Sequence, residues 1–187
     1  MADALAPWEL LGSTLLLERQ PWLALYQDAV RLPSGRCLDD FYRVVLPDYV
    51  LVAAFTPTGQ LVMVRGYKHG LGRVSLFAPA GHLDPGEEPL QGARRELFEE
   101  TGYTAATWQL LGRFLTDGNR HCGMAYLFLA RAAVPSTEPR VSDDAEELEV
   151  ELIDPADFGR QIREGDIALL PTVAALALAM VVFREGD

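Results

Sequence analysis

Four carboxylates, Glu87, Glu96, Glu99 and Glu100, gather around one short predicted helix in the stretch GHLDPGEEPLQGARRELFEETGY, from Gly81 to Tyr103. At about 100° per residue, Glu96, Glu99 and Glu100 fall within a sector of roughly 100°, with Glu96 one turn from Glu100. Like charges at that spacing repel by about 0.2–0.5 kcal/mol per pair, so the cluster is either a solvated face tolerated at a cost or a cation site. Hard divalent cations such as Mg²⁺ take oxygen ligands and leave other positions to water or phosphate. A cation held here would offset the charge of an anionic ligand, orient it, and lower the pKa of a bound water so that hydroxide becomes available. Arg95, inside the cluster, has the planar fork that holds carboxylates by bidentate hydrogen bonds.

The elements that must position these residues follow from pattern. The helix is predicted to start at Glu88 or Pro89, because proline suits the first turn, and to stop at Gly102. Leu90, Ala93 and Leu97 form its apolar stripe, which leaves the glutamates on a flank. Upstream, three runs of alternating apolar and polar residues, Glu9–Leu17, Trp22–Leu32 and Cys37–Leu46, read as an N-terminal antiparallel β-meander, with Pro33-Ser34-Gly35 as one turn. Strands are expected over Tyr49–Phe55, Gln60–Arg65, Val74–Ala78, Thr107–Phe114, Met124–Arg131 and Leu148–Ile153. Between them lie a polar segment, Gly66 to Gly70, and a loop, Leu115–Gly123. Each is either a solvated loop or a place where backbone and ligand approach closely. Helices are predicted over Pro155–Glu164 and Leu169–Val182. With no repeat and no long linker, the chain is expected to be one α+β domain across residues 1–187, with mixed strands flanked by helices.

Composition narrows the partners. A length of 187 residues with 49% hydrophobic and 23% charged side chains is ordinary for a globular domain. A net charge of −11 repels nucleic acid and anionic membranes, so neither is an expected partner. Cys37 and Cys122 form no CxxC pair and are read as free thiols. The N-terminus MADALAPWELLG lacks the basic and apolar regions of a secretory leader, and the chain is read as cytoplasmic. The apolar run from Ile167 to Phe183 spans 17 residues and carries Pro171 and Thr172. Membrane spans need about 20, so it reads as a buried core or interface helix ahead of a membrane tail.

From Gly81 to Tyr103 the sequence resembles the Nudix hydrolase signature G-x5-E-x7-R-E-U-x-E-E-x-G-U, where U is a bulky apolar residue. Gly81, Glu87, Arg95, Glu96, Glu99, Glu100 and Gly102 fill the fixed positions, Leu97 the first apolar slot and Tyr103 the last. The resemblance implies a Nudix-type mixed sheet and a metal site. In it Glu96 and Glu100 are the main ligands, Glu99 a further one and the Ala80 carbonyl another donor, with Mg²⁺ bound and Mn²⁺ as substitute. Glu87 either reaches the metal through water or pairs with an arginine.

Trp8-Glu9, the proline-glycine hairpin, Gly66-Tyr67-Lys68-His69, the Pro79-Ala80-Gly81 approach and the late acidic loop together resemble the ADP-ribose pyrophosphatase branch of that family. Residues 1–46 are then expected to form a β-rich segment that pairs two subunits into a homodimer. The branch draws an acidic residue from the late loop, here Glu146, with Glu147 and Asp144 as rivals. Lys68, where the branch often has arginine, and Tyr67 are expected on the substrate, and Asn119 and Arg120 could read a sugar or phosphate. The activity implied is hydrolysis of the diphosphate bond of a nucleoside diphosphate sugar, ADP-ribose leading. The rivals are another nucleoside diphosphate derivative, such as a dinucleoside polyphosphate, a GDP-sugar or an oxidised nucleotide, and a sensor that binds without turnover.

Overall fold

The computed structural model describes residues 6–139 and 147–185. The chain divides into two compact units, one of residues 1–48 with 115–124, the other of residues 49–114 with 125–187.

In the first unit, β1 (Glu9–Arg19), β2 (Leu23–Arg31) and β3 (Cys37–Val45) form an antiparallel meander. Gly35, at φ 83°, makes the predicted turn between the last two. Asp28, buried on β2, ties all three strands. It accepts from the Ser13 hydroxyl of β1 at 2.5 Å and from Arg43 Nε of β3 at 2.8 Å. Every residue of β1 is exposed, including Leu10, Leu11, Leu15, Leu16 and Leu17.

The second unit is built around β4 (Tyr49–Phe55), which is buried on both faces. Side chains alternate along a strand, so Val50, Val52 and Ala54 face one way and Leu51, Ala53 and Phe55 the other. The first set packs with Ala93 and Leu97 of α1 (Pro89–Thr101), and the second with Ala175, Leu176 and Ala179 of α3 (Leu170–Glu185). β4 runs antiparallel to β5 (Leu61–Lys68) and to a three-residue strand, β7 (Ala80–His82). β5 also pairs with β6 (Arg73–Phe77) and β10 (Glu149–Ile153). β8 (Tyr103–Asp117) pairs with β9 (His121–Pro135), and β9 runs parallel to β4 from Tyr49↔Ala125 to Phe55↔Arg131. α2 (Phe158–Glu164) follows a single 3-10 turn at Pro155–Asp157 and ends at Gly165, at φ 83°.

The α+β class stands, and four local readings change. The polar segment from Gly66 continues as strand through Lys68, because Gly66, Tyr67 and Lys68 pair with Ser75, Val74 and Arg73. The expected loop Leu115–Gly123 shrinks to the three residues Gly118–Arg120. There the Asp117 carboxylate accepts from the amides of Asn119 at 2.7 Å and Arg120 at 2.8 Å, an aspartate turn that lets both strands run on. β7 escaped the pattern because three residues show no periodicity. The helix expected over Pro155–Glu164 is α-helical only from Phe158. Among the described residues, no helix is long and apolar enough to cross a membrane.

Candidate active site

Helix α1 begins with Pro89 at its first position and ends at Gly102, whose φ of 73° suits the left-handed cap. The Thr101 hydroxyl donates to the Leu97 carbonyl and accepts from the Tyr103 amide, which fixes the last turn. Ala93 and Leu97 lie on β4, and the two glutamates beside them go in as well. Glu96 is 7% and Glu100 6% exposed. The expected flank is therefore an inward face for these two, and helical geometry explains it. Residues 93, 96, 97 and 100 share one sector of about 100°, whereas residue 99 falls outside it. That sector was readable from spacing once Ala93 and Leu97 were placed in the core.

Two features of β7 seat the buried carboxylates. The Ala80 amide donates to Glu100 Oε2 at 2.9 Å. A Cβ on Gly81 would overlap the Glu96 carboxylate, so only glycine lets the strand pass this close. Arg95 gathers the rest. Its Nε and Nη2 bind Glu87 Oε1 and Oε2, each at 2.9 Å, and its Nη1 binds Glu96 Oε1 at 2.7 Å and Glu99 Oε2 at 3.0 Å. Nη2 also donates to the His82 carbonyl at 2.9 Å. All five guanidinium N–H groups are thereby used. Of the two readings of Glu87, the structure shows the arginine pair, and that hydrogen bond holds the Glu87 carboxyl below its usual range. Gly92, outside the signature, leaves room for this loop, since a Cβ there would meet Leu83 and stand 3.0 Å from Glu87 Oε2.

Four carboxylates and one guanidinium carry an excess of three formal negative charges, on hard oxygen donors. That donor set fits a divalent cation in charge and chemistry. Among the described residues, no three acidic, imidazole or thiolate groups converge as a cage, and Arg95 lies between Glu96 and Glu99.

The other expected site residues separate. Neighbouring residues on β5, Tyr67 and Lys68 point to opposite faces. Tyr67 lines an open cavity of about 810 Å³ with Arg65, His69, Glu147 and Glu149. Lys68 lines a smaller pocket of about 180 Å³ with Tyr49, Phe77, Ala80 and Thr172. Its Nζ sits 4.2 Å from the centre of the Phe77 ring, a neighbour that no local pattern announced. Asn119 and Arg120 form the β8–β9 turn of the first unit, and the Arg120 carbonyl accepts from the Val44 amide at 2.9 Å. Glu146 and its rival Asp144 lie outside the described residues, and Glu147 is exposed.

Comparison with known proteins agrees with this geometry. Residues 45–175 match the NUDIX domain, and residues 8–48 match the nucleoside diphosphate sugar hydrolase N-terminal domain. The chain is 37% identical to an ADP-ribose pyrophosphatase of Bacillus subtilis over 126 residues, covering 67% of this chain and 68% of that one. It is 31% identical to an ADP-ribose pyrophosphatase of Mycobacterium tuberculosis over 147 residues, covering 77% and 70%. A crystal structure of an ADP compounds hydrolase superposes with a TM-score of 0.86 at 19% identity, covering 100% of this chain and 99% of that one, which shows the shared fold. Since the two domain matches meet at residues 45–48 and the catalytic signature lies whole within the longer one, the chain belongs to the Nudix family as a hydrolase with the N-terminal domain of the nucleoside diphosphate sugar hydrolases.

Proposed function

We propose that the protein hydrolyses the diphosphate bond of ADP-ribose or a closely related nucleoside diphosphate sugar, releasing a nucleoside monophosphate and a sugar phosphate. The observation that carries this reading is the buried pair Glu96 and Glu100, seated against Gly81 and the Ala80 amide and braced by Arg95. Names of relatives in two bacteria support ADP-ribose as the first substrate to try.

Glu96, Glu99, Glu100 and the Ala80 carbonyl would hold Mg²⁺, or Mn²⁺ in its place. When bound, the metal offsets phosphate charge and lowers the pKa of a coordinated water. The chain's own residues do the remainder. Arg95 keeps the carboxylates from splaying, the Ala80 amide fixes one oxygen of Glu100, and Lys68 supplies a point positive charge for a phosphate oxygen. Glu146, or Glu147 or Asp144 in its place, takes the proton of the attacking water. Tyr67 is a further substrate contact, and Asn119 and Arg120 read a sugar or phosphate.

We also place the reaction in the cytoplasm and in a homodimer formed through residues 1–46. The exposed leucines of β1 support that dimer.

The test is a product-resolved screen over ADP-ribose, ADP-glucose, GDP-mannose, dinucleoside polyphosphates and nucleoside triphosphates, with and without Mg²⁺. Metal-dependent release of AMP from ADP-ribose is expected. Glu96→Gln and Glu100→Gln proteins should fold and lose activity by about 100-fold or more, beyond the loss usual for residues behind a metal ligand. Full activity in both would remove these residues from the site.

A further inference from the structure

We infer that Phe77 is a positioning residue for substrate binding: its ring holds the Lys68 ammonium at the pocket that both residues share with Ala80. The inference rests on the function proposed above and adds to it a residue that the signature does not contain.

Lys68 is the chain's only lysine; every other basic side chain that could carry a fixed charge is arginine. A lysine ammonium on a flexible stem is a strongly hydrated point charge, and each contact at its head narrows its direction. The β5–β6 hairpin supplies one. Val64, Gly66 and Lys68 share a face of β5, and Phe77 lies opposite Val64 in the register. Gly66 has no side chain to fill the gap between Val64 and Lys68. The Leu148 side chain takes the space a Gly66 Cβ would need, and the Phe77 ring lies beside it, with Cζ 3.6 Å from that point. Lys68 Nζ then rests 4.2 Å from the ring centre. Phe77 is 2% exposed, so its ring has a fixed orientation and attracts the ammonium through its quadrupole while adding no negative charge. The same pocket is walled by Ala80, whose amide holds Glu100. The ammonium and the wall of the carboxylate site thus face one space, where a diphosphate oxygen would meet the positive charge.

The test is a double-mutant cycle on the full chain with ADP-ribose and Mg²⁺, together with the NMR signal of the Lys68 ε-methylene, which a single lysine makes unambiguous. Phe77→Leu should raise KM about fivefold and leave kcat within about twofold, the pattern of lost uniform binding. It should add nothing in a Lys68→Met background. Phe77→Tyr keeps the ring and should restore the KM. In the wild type the ε-methylene protons should lie upfield of free lysine through ring current, with or without metal, and return to the free position in Phe77→Leu.

An effect of Phe77→Leu that is equal in both backgrounds, or that falls on kcat, reduces Phe77 to packing and overturns the inference. A wild-type ε-methylene signal at the free-lysine position overturns it too, even if Phe77→Leu does not fold. Wild-type turnover with an unchanged KM in Lys68→Met overturns this inference alone. No turnover of ADP-ribose, ADP-glucose or GDP-mannose by the wild type overturns the proposed function and this inference with it.

Discussion

At the scale of single residues, the site stores electrostatic cost. Glu100 is a buried carboxylate one turn from Glu96 on α1, and the Ala80 amide donates to it. Replacing it with glutamine removes a negative charge, and the amide oxygen still accepts from Ala80. We expect Glu100→Gln without metal to be more stable than the wild type, by about 1 kcal/mol, while it loses turnover. Urea unfolding in chelator, set beside the activity of the same sample, checks both signs. Arg95 argues in the opposite direction. A lysine keeps the charge at position 95 but has three donors in place of five and no planar fork. Arg95→Lys should cost about 2 kcal/mol, because several charge-assisted hydrogen bonds to Glu87, Glu96, Glu99 and the His82 carbonyl are lost from one partly buried group. A fall in the urea midpoint with an unchanged slope would measure it, and no fall would show the clamp to be ornamental.

At the scale of elements, the β-meander carries a pH dependence of its own. Arg43 above all, and then Ser13, hold the Asp28 carboxyl below its usual value. A carboxylate with a depressed folded pKa contributes stability above its unfolded pKa, and loses it as pH falls through the folded one. The stability due to Asp28 should therefore be flat from neutrality to about pH 4 and decline below that. Asp28→Asn should be less stable at pH 7 and show a shallower acid decline than the wild type, read from thermal unfolding between pH 3 and pH 7. Equal slopes in the two proteins would sink the assignment.

The elements also show where sequence pattern suffices and where it fails. β4 and α1 were legible because their cues are local: a continuous apolar run for one, Pro89 and Gly102 for the other. The inward turn of Glu96 and Glu100 was hidden by residue type, since charge argues for a surface while angular position argues for the core. Phe77 beneath Lys68 was not legible, because it depends on the register of a hairpin rather than on spacing along one element. Asp28 was missed for the same reason, its partners lying fifteen positions away on either side, in β1 and β3.

At the scale of the whole molecule, charge and the exposed strand β1 act against each other. Each copy carries −11, so two copies repel at long range, whereas the leucines of β1 favour association. The proposed dimer should tighten as salt rises from about 0.01 M to 0.15 M, where the screening length shrinks from about 30 Å to 8 Å. Sedimentation velocity across that range checks the trend, and a Leu16→Glu protein should shift toward monomer. A monomer at every salt concentration would assign the strand to some other covering.

The parallel pairing of β4 with β9 has a consequence in time. Helix α1, with all its glutamates, is complete by residue 101, yet its floor includes Phe128 and Ala130 of β9. On a ribosome the acidic helix emerges before the strand that seats it, and the intervening chain must loop back to form a long-range pair. The carboxylates of α1 thus take their places only after a strand that is synthesised later than their own helix. Nascent chains cut before β9 should expose α1 to proteolysis, and chains extended through Pro135 should begin to shield it.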